Sequence, residues 1–252
     1  LNISMLAFTE PGDKVIIQPP VYFPFFSAVN DHNRTILHNQ LINNNGYYEI
    51  DFKDFEEKAK EARMFILCHP HNPVGRLWNK EELEQLVNIC KKNNVLVISD
   101  EIHSDLILSP AEHTPLLFIP GAEEVTLACY APSKTFNLAG MSTSFLVIPD
   151  KKLKHKYEKM LNAIHIGMGN LFGNVALQAA YDHGEEWLEE LLEYLRKNLN
   201  YLENFMDKNI PEIKVTQTEA TYLIWLDFRS LDMDKKDLKK WEEFLYSQGI
   251  TF

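Results

Sequence analysis

The sequence predicts an α/β protein: a mostly parallel sheet sandwiched between helices, followed by the start of a smaller α+β lobe. Three observations carry this. Short β-branched runs recur at Lys14–Gln18, Met64–Cys68, Val95–Ser99 and Val125–Tyr130, and their nearly continuous apolar character suits strands covered on both faces. Strand and helix patterns alternate as far as about Ile148. From Asp150 onward the apolar spacing turns helical over long stretches.

Taken in order, Leu1–Phe8 reads as the middle of an amphipathic helix with no capping residue before it. Asn43-Asn44-Asn45-Gly46 is a turn signal. Glu49–Ala62 reads as a turn and a helix with Asp51 near its start. Asn79–Asn93 is the clearest helix: Asn79 caps it, Glu82 closes a capping box, and Leu83, Leu86, Val87 and Cys90 form the inner stripe. Phe145–Ile148 reads as another buried strand. Lys151–Ile166, Asn174–His183 and Glu185–Asp207 are the long helices, and His165–Asn170 is a glycine-containing loop. Strands at Ile213–Val215 and Tyr222–Phe228, with a helix at Lys235–Ser247, open the smaller lobe. The lobes divide within Glu185–Asp207, giving residues 1–190 and 191–252. Both ends read as cut, because a strand is expected to follow where the chain stops at Phe252.

The 252 residues suffice for one large domain or slightly more, and 45% apolar content supports a sizeable core. A net charge of −11 argues against nucleic acid and anionic membranes, which select basic faces. The three cysteines, Cys68, Cys90 and Cys129, sit in apolar surroundings, which suggests reduced thiols in a cytoplasm. No signal peptide or membrane-spanning stretch is visible.

Each apolar run leads into chemistry-bearing residues. Lys14–Gln18 leads to Tyr22, Met64–Cys68 to Asn72, Val95–Ser99 to Asp100 and His103, and Val125–Tyr130 to Ser133 and Lys134. Asn72, Asp100 and Lys134 lie roughly 30 residues apart, the size of one βαβ unit. Ligands in open α/β sheets sit beyond the carboxyl ends of the strands. An aromatic ring, an amide, a carboxylate and an amine are therefore expected to share one crevice. Taken singly, each residue has a blander reading: Lys134 as an exposed loop lysine, Asp100 as a cap, Asn72 as a turn residue, Tyr22 as core, and His103 as a surface histidine beside Glu101 and Asp105. Together they match pyridoxal phosphate, which needs a lysine for its imine and an acid at its ring nitrogen.

The chain resembles the fold-type I pyridoxal phosphate enzymes of the class I/II aminotransferase superfamily, and within it the C–S lyase subgroup of cystathionine β-lyases. The likeness rests on Phe8–Asp13, Pro20–Phe25, Pro70–Gly75, Ser99–His103, Ala131–Gly140, Trp187-Leu188 and Ala220–Asp227, in the family's order. It implies Lys134 as the cofactor lysine and general base, Asp100 at the ring nitrogen, and Asn72 and His103 at the phenolic oxygen. It also implies Tyr22 on the ring face and Ser133 near the phosphate. Ala131 and Ser142 stand where aminotransferases usually carry a phosphate-binding serine and arginine. No arginine matches the family's carboxylate-binding position. The resemblance implies a homodimer in which His165–Asn170 reaches a partner's crevice. The expected activity is β-elimination from cystathionine- or cystine-type amino acids to a thiol, pyruvate and ammonia. The alternatives are a class I/II aminotransferase and an inactive or regulatory homologue.

Overall fold

Strand formation follows the apolar runs in a computed structural model of the chain, which describes residues 1–167, 169–231 and 238–249. The first half contains α1 (Asn2–Phe8), β1 (Lys14–Ile17), α2 (Pro24–Asn30), β2 (Thr35–His38), β3 (Ile42–Asn44), β4 (Tyr47–Glu49), α3 (Phe52–Ala59), β5 (Met64–Cys68), α4 (Lys80–Asn93) and β6 (Leu96–Asp100). The second contains β7 (Thr126–Tyr130), α5 (Pro132–Thr135), β8 (Phe145–Val147), α6 (Lys151–Ala163), α7 (Leu171–His183), α8 (Glu185–Asn209), β9 (Lys214–Val215), β10 (Leu226–Asp227) and α9 (Leu238–Ser247). The first three residues of the expected Lys235–Ser247 helix lie outside the described residues. So do the expected strand after Gly249 and Met168 of the His165–Asn170 loop.

Six strands form one sheet in the order β2-β1-β5-β6-β7-β8. The first five run parallel and β8 pairs antiparallel with β7. Because successive strand residues face opposite ways, the sheet splits its side chains between two cores. Ile16, Phe65, Leu67 and Val97 pack against α3 and α4, while Val15, Ile17, Met64, Ile66, Ile98 and Leu127 pack against α1, α2 and α6. This two-sided burial explains the near-continuous apolar runs.

Local signals hold where they were strongest. Asn79 accepts from the Glu82 N–H at 2.9 Å and Glu82 accepts from the Asn79 N–H at 2.8 Å, closing the capping box. Such a cap contributes about 1 kcal/mol. Asp51 caps α3 through the Asp54 N–H at 2.9 Å. The turn signal becomes a β3–β4 hairpin whose central Asn45 and Gly46 have φ of +52° and +90°, as that tight turn requires.

Two expectations change. Phe145–Ile148 is not a buried strand: Phe145 and Val147, which share one face of the sheet, are 38% and 40% exposed, and Leu146 on the opposite face packs into a core. Tyr222–Phe228 is strand only at Leu226–Asp227. The preceding residues instead fasten onto the large unit, with the Thr221 N–H donating to Leu106 O at 2.8 Å and the Glu219 N–H to Gly75 O at 2.8 Å. No described helix is long and apolar enough to cross a membrane.

Candidate active site

The carboxyl ends of β5, β6 and β7 define the site. Their register sets Cys68, Asp100 and Cys129 side by side. Asp100 shares strand parity with Ile98, so it faces the α1/α2/α6 side of the sheet. Glu101 faces the other way. There it is fully buried, accepts from Ser99 Oγ at 2.8 Å, Tyr130 OH at 3.0 Å and the Leu116 N–H at 3.2 Å, and pairs with His113 at 2.9 Å. These partners anchor the loop after β6. They leave Asp100 as the acidic side chain that reaches the crevice from this strand.

Asp100 is 8% exposed, and its closest hydrogen-bond contact is a long 3.5 Å one from the Ile102 N–H. Burial pushes its carboxyl up to about 6, against the pull of the Ile102 N–H and the Lys134 amine. Lys134 is placed by α5, a single turn that begins with Pro132 directly after Ala131. Its side chain is half-buried and makes no hydrogen bond or ion pair among the described residues. Its charge acts on both Asp100 and His103.

His103 is 3% exposed, which overturns the surface-histidine alternative. Burial, and then Lys134, lower its imidazole to about 4, so it is neutral near pH 7. Its Nε2 has no hydrogen-bond partner among the described residues, and the Tyr222 ring meets it edge-on at 5.7 Å.

The loop after β5 brings in the next pair. The Asn72 N–H lies 3.3 Å from Cys68 Sγ, and Asn72 O accepts from the Tyr22 N–H at 3.0 Å. Asn72 is 9% exposed, and its side-chain amide makes no hydrogen bond among the described residues. The half-buried Tyr22 ring packs edge-on against Phe25 at 6.0 Å. Ser133 is half-buried beside Lys134. The fold thus gathers Tyr22, Asn72, Asp100, His103, Ser133 and Lys134 at one end of the sheet. A separate cavity of about 610 Å3 lies beside β8 and α6, is lined by Phe145, Val147, Tyr157 and Asn170 among others, and includes none of these six residues.

Three further contacts escaped the sequence reading. Asp105 accepts from Thr135 Oγ1 at 2.7 Å across 30 positions. Tyr222 covers His103. Arg76, 1% exposed, binds both Glu82 oxygens at 2.8 and 2.9 Å, donates to Tyr48 O at 2.7 Å and pairs with Glu219. The Asp105–Thr135 offset matches one βαβ unit, the same signal that linked Asp100 to Lys134.

Residues 1–251 match the profile of the family described as aminotransferase class I and II. The chain belongs to this family. It is similar to cystathionine beta-lyase PatB of Bacillus subtilis (strain 168), with 43% identity over 95% of this chain and 63% of that protein. Among solved structures it is similar to cystalysin from Treponema denticola, which contains a pyridoxal 5′-phosphate cofactor. The TM-score is 0.91 at 38% identity, covering 97% of this chain and 62% of that one. It is also similar to the pyridoxal phosphate-bound C–S lyase from Staphylococcus hominis, with a TM-score of 0.83 at 37% identity over 93% of this chain and 61% of that one. The chain therefore spans about three fifths of the length of these family members. The six-stranded sheet is accordingly part of an aminotransferase-family domain.

Proposed function

We propose that the protein is a pyridoxal phosphate-dependent carbon–sulfur β-lyase of the cystathionine β-lyase type. The observation that carries this is a set of polar groups with no strong protein partner at one crevice: the Lys134 amine, the Asp100 carboxyl, His103 Nε2 and the Asn72 amide. Of these, His103 Nε2 is a fully buried atom without a partner among the described residues, and such an atom is costly and marks a place where a ligand completes the hydrogen bonding. The residue set fits pyridoxal phosphate, and the similarity to a cystathionine β-lyase, to a C–S lyase and to cystalysin with its pyridoxal phosphate points the same way.

In this reading Lys134 would hold the cofactor through its carbonyl, and the same amine would take the proton from the substrate's α-carbon. Asp100 holds a proton on the ring nitrogen; a cation placed against it favours the ionised carboxylate. The Asn72 amide and neutral His103 would hold the phenolic oxygen, Tyr22 the ring and Ser133 the phosphate. Bound there, pyridoxal phosphate supplies an electron sink for the pair left by the α-proton. Elimination then breaks the bond between the β-carbon and sulfur. With one water consumed, cystathionine yields homocysteine, pyruvate and ammonia.

We place the large cofactor-binding unit at residues 1–190 and a smaller unit at 191–252. The separate β9–β10 pair and the reach of α8 between the units support this division. A homodimer with the His165–Asn170 loop at its interface and a cytoplasmic location complete the reading. An aminotransferase is the second reading, supported by the family itself, and it shares every residue role up to proton removal. The test is full-length protein with cystathionine and no keto acid. Release of thiol and pyruvate is expected, whereas product formed only after a keto acid is supplied would establish transamination instead.

A further inference from the structure

A single helical turn has almost no stability of its own, because nucleation costs more than one hydrogen bond returns. α5 is four residues long and its first residue has no side-chain cap. Yet it carries Lys134, so something outside the turn must hold it. The contacts are specific. Thr135, fully buried and adjacent to Lys134, donates its hydroxyl to Asp105 Oδ2 at 2.7 Å. The Tyr181 hydroxyl in α7 lies close enough to feel the same carboxylate: burial, and then the Asp105 charge, push Tyr181 up to about 12. Phe136, at the end of the turn, meets the Tyr181 ring edge-on at 5.4 Å and lies 5.9 Å from the Trp187 ring. Gly184 leaves room for Phe136, since a Cβ there would fall 2.4 Å from its ring.

Asp105 lies on the loop that follows Asp100 and carries His103. Its carboxylate therefore joins three separate pieces: the loop after β6, the lysine turn after β7, and α7. We propose that Asp105 is a positioning residue for Lys134, fastening the lysine turn through Thr135 and Tyr181 so that the amine stays aligned with the Asp100–His103 loop. This rests on the reading of Lys134 as the cofactor lysine. The physical basis is that a charge-assisted hydrogen bond to a buried hydroxyl is strong and directional. Small misplacement of a reacting amine costs rate steeply while ground-state binding changes little.

The experiment uses the full-length holoenzyme and its cofactor-free form in wild-type, Thr135→Val, Thr135→Ser, Tyr181→Phe and Asp105→Ala versions. Thr135→Val and Asp105→Ala should lower kcat about tenfold or more with KM shifted less than about threefold. Tyr181→Phe, which leaves the Thr135 bond intact, should lower kcat less. Thr135→Ser keeps the hydroxyl and should recover most of the rate. In the cofactor-free protein, amide exchange across residues 133–136 should speed up in Thr135→Val and return towards wild type in Thr135→Ser. A Thr135→Val protein with unchanged kcat and unchanged exchange overturns the proposal. So does a Thr135→Ser protein as impaired as Thr135→Val. If Thr135→Val does not fold, the comparison of Thr135→Ser, Tyr181→Phe and Asp105→Ala decides by the same criteria. Borohydride trapping on the wild-type protein keeps the two ideas apart. An adduct away from Lys134 defeats the cofactor-lysine reading, whereas an adduct on Lys134 with insensitive variants defeats only the Asp105 role.

Discussion

Asp100→Asn should make the cofactor-free protein more stable and the enzyme nearly inactive. The wild-type carboxyl is buried beside Cys68 and Cys129 with one long hydrogen-bond contact, and it titrates near 6 where an ordinary aspartate titrates near 3.8. The sign follows from linkage. Below pH 3.8 the acid is protonated in both states and makes no difference. As pH rises through 6, the unfolded chain ionises first while the fold still holds the proton, so this group's contribution to stability is progressively lost. Each tenfold in proton affinity is worth about 1.4 kcal/mol, which makes the full loss about 3 kcal/mol above pH 7. An uncharged asparagine of the same shape escapes that loss.

Urea unfolding of cofactor-free wild-type and Asp100→Asn protein at pH 8 and at pH 4.5 measures it. The variant should gain about 3 kcal/mol at the higher pH and only about 1 kcal/mol at the lower. The same variant should lose turnover by orders of magnitude, because the buried carboxylate no longer holds a proton on the ring nitrogen. Equal stability at pH 8, or a gain that does not shrink with acid, would falsify the account of Asp100 as a buried carboxyl kept at a cost for function.

Borohydride reduction of the full-length protein with bound pyridoxal phosphate should place the pyridoxyl group on Lys134 in a peptide map; an adduct on another lysine removes the central assignment. Arg76→Ala should destabilise the fold by about 3–5 kcal/mol in chemical denaturation, since it strands Glu82 and Glu219 without their buried partner; a change under about 1 kcal/mol would show that those carboxylates relax into water. Sedimentation of the full-length protein at micromolar concentration should give a dimer, and a monomer would contradict the proposed interface.

Patterns of short range were legible in the sequence. The β-branched runs at Met64–Cys68 and Val125–Tyr130 specify strands because a sheet covered on both faces needs apolar side chains at both parities. Asn79 and Glu82 specify a helix start because their side chains satisfy nearby backbone N–H groups. Asn45-Gly46 specifies a tight hairpin because both residues tolerate positive φ. The spacing of Asn72, Asp100 and Lys134 was legible too, since one βαβ unit returns the chain to the same end of the sheet. What the tertiary structure decided was partnership and exposure. Asp100 and Glu101 are adjacent acids of similar chemistry, and only the sheet's two cores show that one faces the crevice while the other is tied up by Ser99, His113 and Tyr130. His103 became a buried neutral imidazole whose ring meets Tyr222, more than a hundred positions away. Phe145–Val147 has the composition of a buried strand but lies exposed, because burial depends on what else covers the strand. The Asp105–Thr135 bond and the Arg76 cluster likewise join segments that meet only after folding. A sequence records each side chain's capacity to donate, accept or pack, but the partner that satisfies it is chosen in three dimensions.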